Sequence, residues 1–171
     1  LTLSRDGYIK RVSMRSFNAG ANSLTGIKQG DQIVGVTQAD TSATLTAFTD
    51  QGNYLCLPIY TIDEFKWKDL GAHINKFVKM NNSEKLVDAL IVPSFKSYCW
   101  IIVVTAMGRI KRTPLENWEM QRYTRTSTAI KMAPGDKVVR AFAVYENDGV
   151  LLVSKKGMTV NYAITDIPVS S

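Results

Sequence analysis

Four times along the chain an apolar strand runs into Ser or Thr, two variable residues and a glycine, and a second strand follows. The copies are Leu1-Thr-Leu-Ser-Arg-Asp-Gly7-Tyr-Ile-Lys-Arg11, Leu45-Thr-Ala-Phe-Thr-Asp-Gln-Gly52-Asn-Tyr-Leu-Cys-Leu-Pro58, Ile101-Ile-Val-Val-Thr-Ala-Met-Gly108-Arg-Ile-Lys-Arg-Thr-Pro114 and Leu151-Leu-Val-Ser-Lys-Lys-Gly157-Met-Thr-Val-Asn161. Each reads as a β-hairpin. The hydroxyl residue and the polar pair open the turn, glycine supplies the positive φ that other residues resist, and the β-branched and aromatic flanks suit a pleated, half-buried surface. The glycines lie 45, 56 and 49 residues apart.

A second element recurs between the hairpins. Gly30-Asp-Gln-Ile-Val-Gly-Val36 corresponds to Gly135-Asp-Lys-Val-Val-Arg-Ala-Phe142, and Ser83-Glu-Lys-Leu-Val-Asp-Ala-Leu-Ile91 is a looser copy. Short segments at 24–28, 70–74 and 128–131 precede them. Each unit of roughly 50 residues thus holds about four short antiparallel strands, the signature of a propeller blade. The fold class expected is all-β and propeller-like, with approximate units 1–44, 45–100, 101–150 and 151–171. Three units and part of a fourth make a partial or truncated ring, since a closed ring commonly needs more blades. An open β-sandwich or barrel is the alternative, opposed by the near-regular repetition. Strong helical periodicity is absent; the best helix candidate is a short turn at 62–70, where a loop is equally plausible.

The chain has 171 residues with 45% hydrophobic and 21% charged, ordinary for a globular protein able to bury a sizeable core. The chain opens directly on a strand, which reads as a domain cut from something larger. Its longest apolar run, residues 100–104, is far too short to span a membrane. Cys56 and Cys99 sit inside apolar strands and read as buried free thiols, in keeping with a reducing compartment. One histidine and two isolated cysteines do not make a zinc site. No phosphate-cradling glycine loop, nucleophile elbow or His-Glu-x-x-His motif is present, and no catalytic residue is expected. His73 reads as a half-buried loop residue.

The balance of 21 Lys+Arg against 15 Asp+Glu, +6, suits a polyanion. Lys10-Arg11 and Lys111-Arg112 follow the repeat glycines of units one and three, where units two and four carry Leu55-Cys56 and Val160-Asn161. A pair demanded by folding alone should appear in every unit, so the selective pair points to a surface role. Around it gather Arg5, Arg15 and Lys28 in unit one, then Arg109, Arg122, Arg125 and Lys131 in unit three, with Lys155 and Lys156 in the turn of unit four. Lys66 and Lys68 flank Trp67. Cations on the rims of successive blades would form a curved track that contacts phosphates without reading bases, and could bend duplex DNA. Trp100 reads as core. Trp67 and Trp118 sit in loops, where packing between blades is favoured over stacking on unpaired bases.

Gly7-Tyr-Ile-Lys-Arg11, Ser13-Met-Arg-Ser-Phe17 and Phe65-Lys-Trp-Lys-Asp-Leu-Gly71, set in this repeat, resemble the C-terminal domain of topoisomerase IV A subunits, most closely the Gram-positive type. The resemblance implies a β-pinwheel that binds and bends duplex DNA and guides substrate geometry in decatenation and relaxation. It further implies a cytoplasmic, nucleoid-associated parent in bacteria. Its partners would be the same polypeptide's N-terminal cleavage-reunion domain and, in a heterotetramer, an ATPase B subunit. ATP and Mg²⁺ would act elsewhere in that complex, with no cofactor here. The related gyrase A domain carries a Gln-Arg-Arg-Gly-Gly-Arg-Gly box shortly after its first such strand and wraps DNA tightly. Here the stretch reads Phe17-Asn-Ala-Gly-Ala-Asn-Ser23, and Gln121-Arg-Tyr-Thr-Arg125 is a degenerate copy at best. This departure favours topoisomerase IV over gyrase. Arg122-Tyr-Thr124 resembles the setting of that family's catalytic tyrosine, but it lies in a loop of a β repeat, so Tyr123 is read as non-catalytic. A propeller-like protein-interaction platform with incidental charge is the reading from another class.

Overall fold

A computed structural model describes residues 1–20 and 22–170. The four repeats form four antiparallel hairpins: β1 (Thr2–Ser4) with β2 (Tyr8–Lys10), β4 (Thr44–Thr49) with β5 (Asn53–Pro58), β8 (Trp100–Thr105) with β9 (Ile110–Pro114), and β12 (Gly149–Val153) with β13 (Thr159–Ala163). The turns share one device. The N–H of Gly7, Gly52, Gly108 and Gly157 donates to the carbonyl of the Ser or Thr three residues back, at 2.9–3.2 Å. The next N–H donates to that residue's hydroxyl, at 3.0–3.2 Å. The four glycines have φ of +80° to +95°, which explains the residue type.

The Gly-Asp elements lead into β3 (Ile33–Val36) and β11 (Val138–Val144), and the looser copy into β7 (Leu86–Val92); each pairs with the first strand of its own hairpin. The aspartates join this strand to the hairpin turn. Asp31 Oδ1 accepts from the N–H groups of Asp6 and Gln32, and Asp136 Oδ1 from those of Met107 and Lys137. In the looser copy the longer Glu84 instead takes the side-chain amide of Asn53. Burial alone would raise the Asp136 carboxyl. Hydrogen bonds from Thr105, Met107 and Lys137, with the Arg109 charge, outweigh burial and hold it below the ordinary value. A depressed folded-state value makes its contribution complete above the unfolded-state value and lost as pH falls through the folded one. Asp136→Asn is therefore expected to flatten the acid limb of the melting temperature below about pH 4. A thermal melt series in acid checks this; an unchanged limb removes Asp136 from the linkage.

The sheets cross the repeat boundaries. β6 (Ala72–His73), from the second unit, pairs with β2, and β10 (Ser127–Thr128), from the third, pairs with β5. The strand orders are β3-β1-β2-β6, β10-β5-β4-β7, β11-β8-β9 and β12-β13. Further hydrogen bonds join successive sheets: the N–H of Leu86 donates to the carbonyl of Arg5, and that of Val138 to the carbonyl of Asp50, both at 2.9 Å.

Alternation along the strands fills the seams between sheets. Leu45, Ala47, Leu55 and Leu57 face the first sheet with Leu3 and Ile9, while Phe48, Tyr54 and Cys56 face the third with Ile101 and Val103. Ile102 and Val104 turn the other way, onto Val144, Val150 and Ile164. Both faces of the central strands are buried, so 100–104 reads as an unbroken apolar run. Separate sheets stacked face to face are a propeller-like arrangement and not a closed barrel. Cys56 and Cys99 are free and buried, and burial pushes the Cys56 thiol up to about 11.

Of the two readings of residues 62–70, the loop is the one observed; a 3-10 turn at Ile59–Thr61 precedes this irregular segment. The α-helix among the described residues is α1 (Met14–Gly20), opened by Ser13, whose carbonyl accepts from Phe17 N–H. Seven residues with no buried side chain offer no amphipathic stripe to detect, and so short a helix depends on tertiary contacts.

Candidate nucleic-acid interface

The structure separates the expected DNA contacts into structural and exposed groups. Lys10 is the clearest correction. It is 1% exposed, and its Nζ donates to the carbonyl oxygens of Gly26, Trp67 and Asp69 at 3.2, 2.6 and 2.5 Å. Burial lowers its pKa, with Asp69 opposing. A phosphate cannot reach this ammonium. Lys111, at the same position of unit three, is half-buried; its Nζ donates to the Ala129 carbonyl at 2.9 Å and lies 6.0 Å from the Trp118 ring. The restriction of this lysine to units one and three therefore reflects a folding role that unit two fills with the buried Leu55. The inference of a surface role from selective presence is overturned at this position.

The arginines beside these lysines are also engaged. Arg11 Nε donates to the Ile62 carbonyl at 3.1 Å and Nη1 lies 3.9 Å from Glu64. The guanidinium of Arg112 lies 5.3 Å from the ring of Trp100, which is partly buried at the edge of the third seam. Arg5 braces the first turn against the loop at 30–32, through the Gln32 side chain and the Gly30 carbonyl, with Asp6 3.9 Å away.

The remaining expected cations, Arg15, Lys28, Arg109, Arg122, Arg125, Lys131, Lys155 and Lys156, are exposed. None belongs to the ion pairs among the described residues, whose cationic members are Arg5, Arg11, Lys76, Lys85, Lys137 and Arg140. Three groupings bring cations together. Trp67 N–H donates to Ser16 Oγ at 3.3 Å, which sets the exposed Lys66 and Lys68 against the helix turn that carries Arg15. Lys79 N–H donates to the Thr124 carbonyl at 3.0 Å and bridges Arg125, beside Arg122. Arg109 Nη1 donates to the Lys131 carbonyl at 2.9 Å, on the wall of a cleft of about 460 Å³ that Lys111 also lines. Lys79 was missed by the sequence reading because its nearness to Arg125 is a contact between units.

The loop aromatics are packing elements. Trp67 lies edge-on to Phe17 at 5.1 Å and its Nε1 donates to the Ser23 carbonyl; Trp118 is 2% exposed between the second and third sheets. Tyr123 is half-buried against the same core. His73 Nε2 contacts the Asp6 carbonyl at 2.9 Å while Nδ1 accepts from Asn75 N–H, which assigns the proton to Nε2.

Comparisons with known proteins agree with this architecture. The family model described as DNA gyrase C-terminal domain, beta-propeller, matches residues 1–40, 44–93 and 100–144. The A subunit of DNA topoisomerase 4 from Staphylococcus epidermidis is 29% identical over 167 residues, which cover 98% of this chain and 21% of that protein. Its Staphylococcus aureus counterpart is 27% identical over the same length. The chain thus spans about a fifth of the curated relatives it matches. A crystal structure of the C-terminal domain of DNA topoisomerase IV superposes with a TM-score of 0.87 and 28% identity, over 99% of this chain and 52% of that one. The DNA gyrase A C-terminal domain, at TM-score 0.71 and 20% identity over 99% of this chain and 55% of that one, shares the fold. The chain belongs to the DNA gyrase C-terminal domain family of β-propellers.

Proposed function

We propose that this chain is the duplex-binding C-terminal part of a topoisomerase IV A subunit. It would hold and bend DNA without reading sequence, and so guide substrate geometry in decatenation and relaxation. The observation that carries this reading is the recurrence, from unit to unit, of exposed cations outside any ion pair among the described residues. Phosphate contacts of this kind supply affinity without direct sequence information. The resemblance to topoisomerase IV supports the parentage, and the stretch that would hold the gyrase box carries α1 and no cluster of arginines. In the parent protein, a cytoplasmic nucleoid-associated complex, the chain would follow a cleavage-reunion domain and work with an ATPase B subunit. The parent complex would use ATP and Mg²⁺ outside this domain.

The test is a fluorescence-anisotropy titration of unrelated labelled duplexes across a salt series. Affinities equal between sequences, and falling as a steep straight line of log K against log salt, are expected. A track of about five phosphate contacts corresponds to a slope near −4.5. Absence of binding at about 50 mM salt, or a flat dependence, rejects the reading in favour of a protein-interaction platform.

A further inference from the structure

The junction between the Trp67 loop and the Gly26 segment that follows α1 is built around one buried ammonium. The three carbonyls that receive Lys10 Nζ belong to two segments far apart in sequence, at Gly26 and at Trp67 and Asp69. They satisfy all three donors of the ammonium, and no carboxylate lies within ion-pair distance of it among the described residues. Its direct partners are backbone carbonyls, with the Asp69 charge acting from beyond ion-pair distance and the Trp67 ring 5.5 Å away.

The same segments meet at backbone contact. The Trp67 carbonyl also accepts from Gly26 N–H and Thr25 Oγ1, each at 3.1 Å. A Cβ on Gly20 would overlap the Trp67 indole, and one on Gly26 would overlap the carbonyls of Lys68 and Asp69. A helix of seven residues with nothing buried has little stability of its own, so its placement comes from this junction. Arg15 stands on α1, and Lys66 and Lys68 stand on the loop; all three are exposed.

We propose that Lys10 is a positioning residue for DNA contact. Its ammonium fixes the Trp67 loop against the Gly26 segment that follows α1, and Trp67 in turn holds α1 through Ser16 and Phe17, so that Arg15, Lys66 and Lys68 face the duplex as one rigid cationic surface, while Lys10 itself touches no phosphate. The proposal rests on the DNA-binding reading above. Its physical basis is pre-organisation: cations ordered before binding lose less side-chain and loop entropy on binding.

The experiment compares the wild-type chain with Lys10→Met, which keeps the apolar stem and removes the ammonium. Segment-resolved hydrogen exchange and duplex titration across salt are the readouts. Protection is expected to fall at 14–28 and 66–71 and to persist in β8 and β11. Affinity is expected to fall toward that of Arg15→Ala/Lys66→Ala/Lys68→Ala, on the order of a hundredfold near 0.1 M salt, and the salt slope to flatten by about 2 to 3, the share of three phosphates. Added to Arg15→Ala/Lys66→Ala/Lys68→Ala, Lys10→Met is expected to cost no further affinity. Gly26→Ala provides an independent variant, because it parts the two segments and leaves every cation in the chain; it is expected to reproduce the loss. A slope change of about 1, additive with the triple variant, would make Lys10 a direct phosphate contact and overturn the proposal. Lost protection with wild-type affinity and slope overturns it equally, leaving Lys10 a structural residue alone. Failure of the wild-type chain to bind DNA removes the functional reading and the positioning role together. Exchange at the two segments then still reports whether Lys10 ties them.

Discussion

Alanine at Arg15, Lys66 and Lys68 together is expected to weaken duplex binding on the order of a hundredfold near 0.1 M salt and to flatten the log–log salt slope by about 2 to 3. All three are exposed, none has a carboxylate partner among the described residues, and all stand on segments tied by Trp67 and Lys10. Each phosphate neutralised releases counterions, and three such contacts multiply. The contrast is Lys85, whose ammonium lies 3.1 Å from Asp6. Its charge is already matched, so Lys85→Ala should leave the slope near its wild-type value. The loss at the three exposed cations should be the same on unrelated duplex sequences, because phosphates carry no direct sequence information. A loss seen on one sequence only, or an unchanged slope, would place the DNA track elsewhere on the molecule.

The turns and the repeat were legible because their causes are local. Ser4, Thr49, Thr105 and Ser154 each bond to main-chain groups three and four residues on, so residue type and spacing record the geometry directly. The strand at 101–104 was legible because it is apolar on both faces and both faces are covered. Lys10 was misread because its acceptors at 26, 67 and 69 are brought to it only by the fold. The repeat column does not report this: Leu55 of unit two is fully buried in it, but Val160 of unit four is 41% exposed. A buried charge needs buried partners, and at Lys10 those come from outside its own hairpin. Helix α1 was invisible because fewer than two turns cannot establish a period. The two-residue strands β6 and β10 fall at the recurring segments 70–74 and 128–131, but their pairing with the preceding unit's hairpin is a contact between units that nothing local marks.

Trp118→Ala is expected to cost about 3–5 kcal/mol, the range for deleting a buried tryptophan side chain. The side chain is 2% exposed and lies in the 3-10 turn Leu115–Trp118 that follows β9. Its ring meets those of Phe48 and Tyr54 edge-on, with centroids 5.3 and 4.8 Å away, and its carbonyl accepts from Cys56 Sγ at 3.5 Å. It therefore spans the seam from the third sheet to the second. Against a total of about 5–15 kcal/mol for a domain of ordinary stability, one substitution removes a large share. Where the loss falls depends on how the sheets are coupled. The first seam, around Leu3, Ile9 and Leu45, shares no side chain with the second. In a stack stabilised by nearest-neighbour interfaces, weakening one interface lets the parts on either side unfold separately. The expected result is a urea melt that shifts to lower denaturant and splits in two. Exchange protection should drop first at β5 and β9, while β1 and β2 hold theirs. A single transition displaced by less than about 1 kcal/mol would show that the side chain's loss is absorbed by repacking, and that this seam does not limit the cooperativity of the stack.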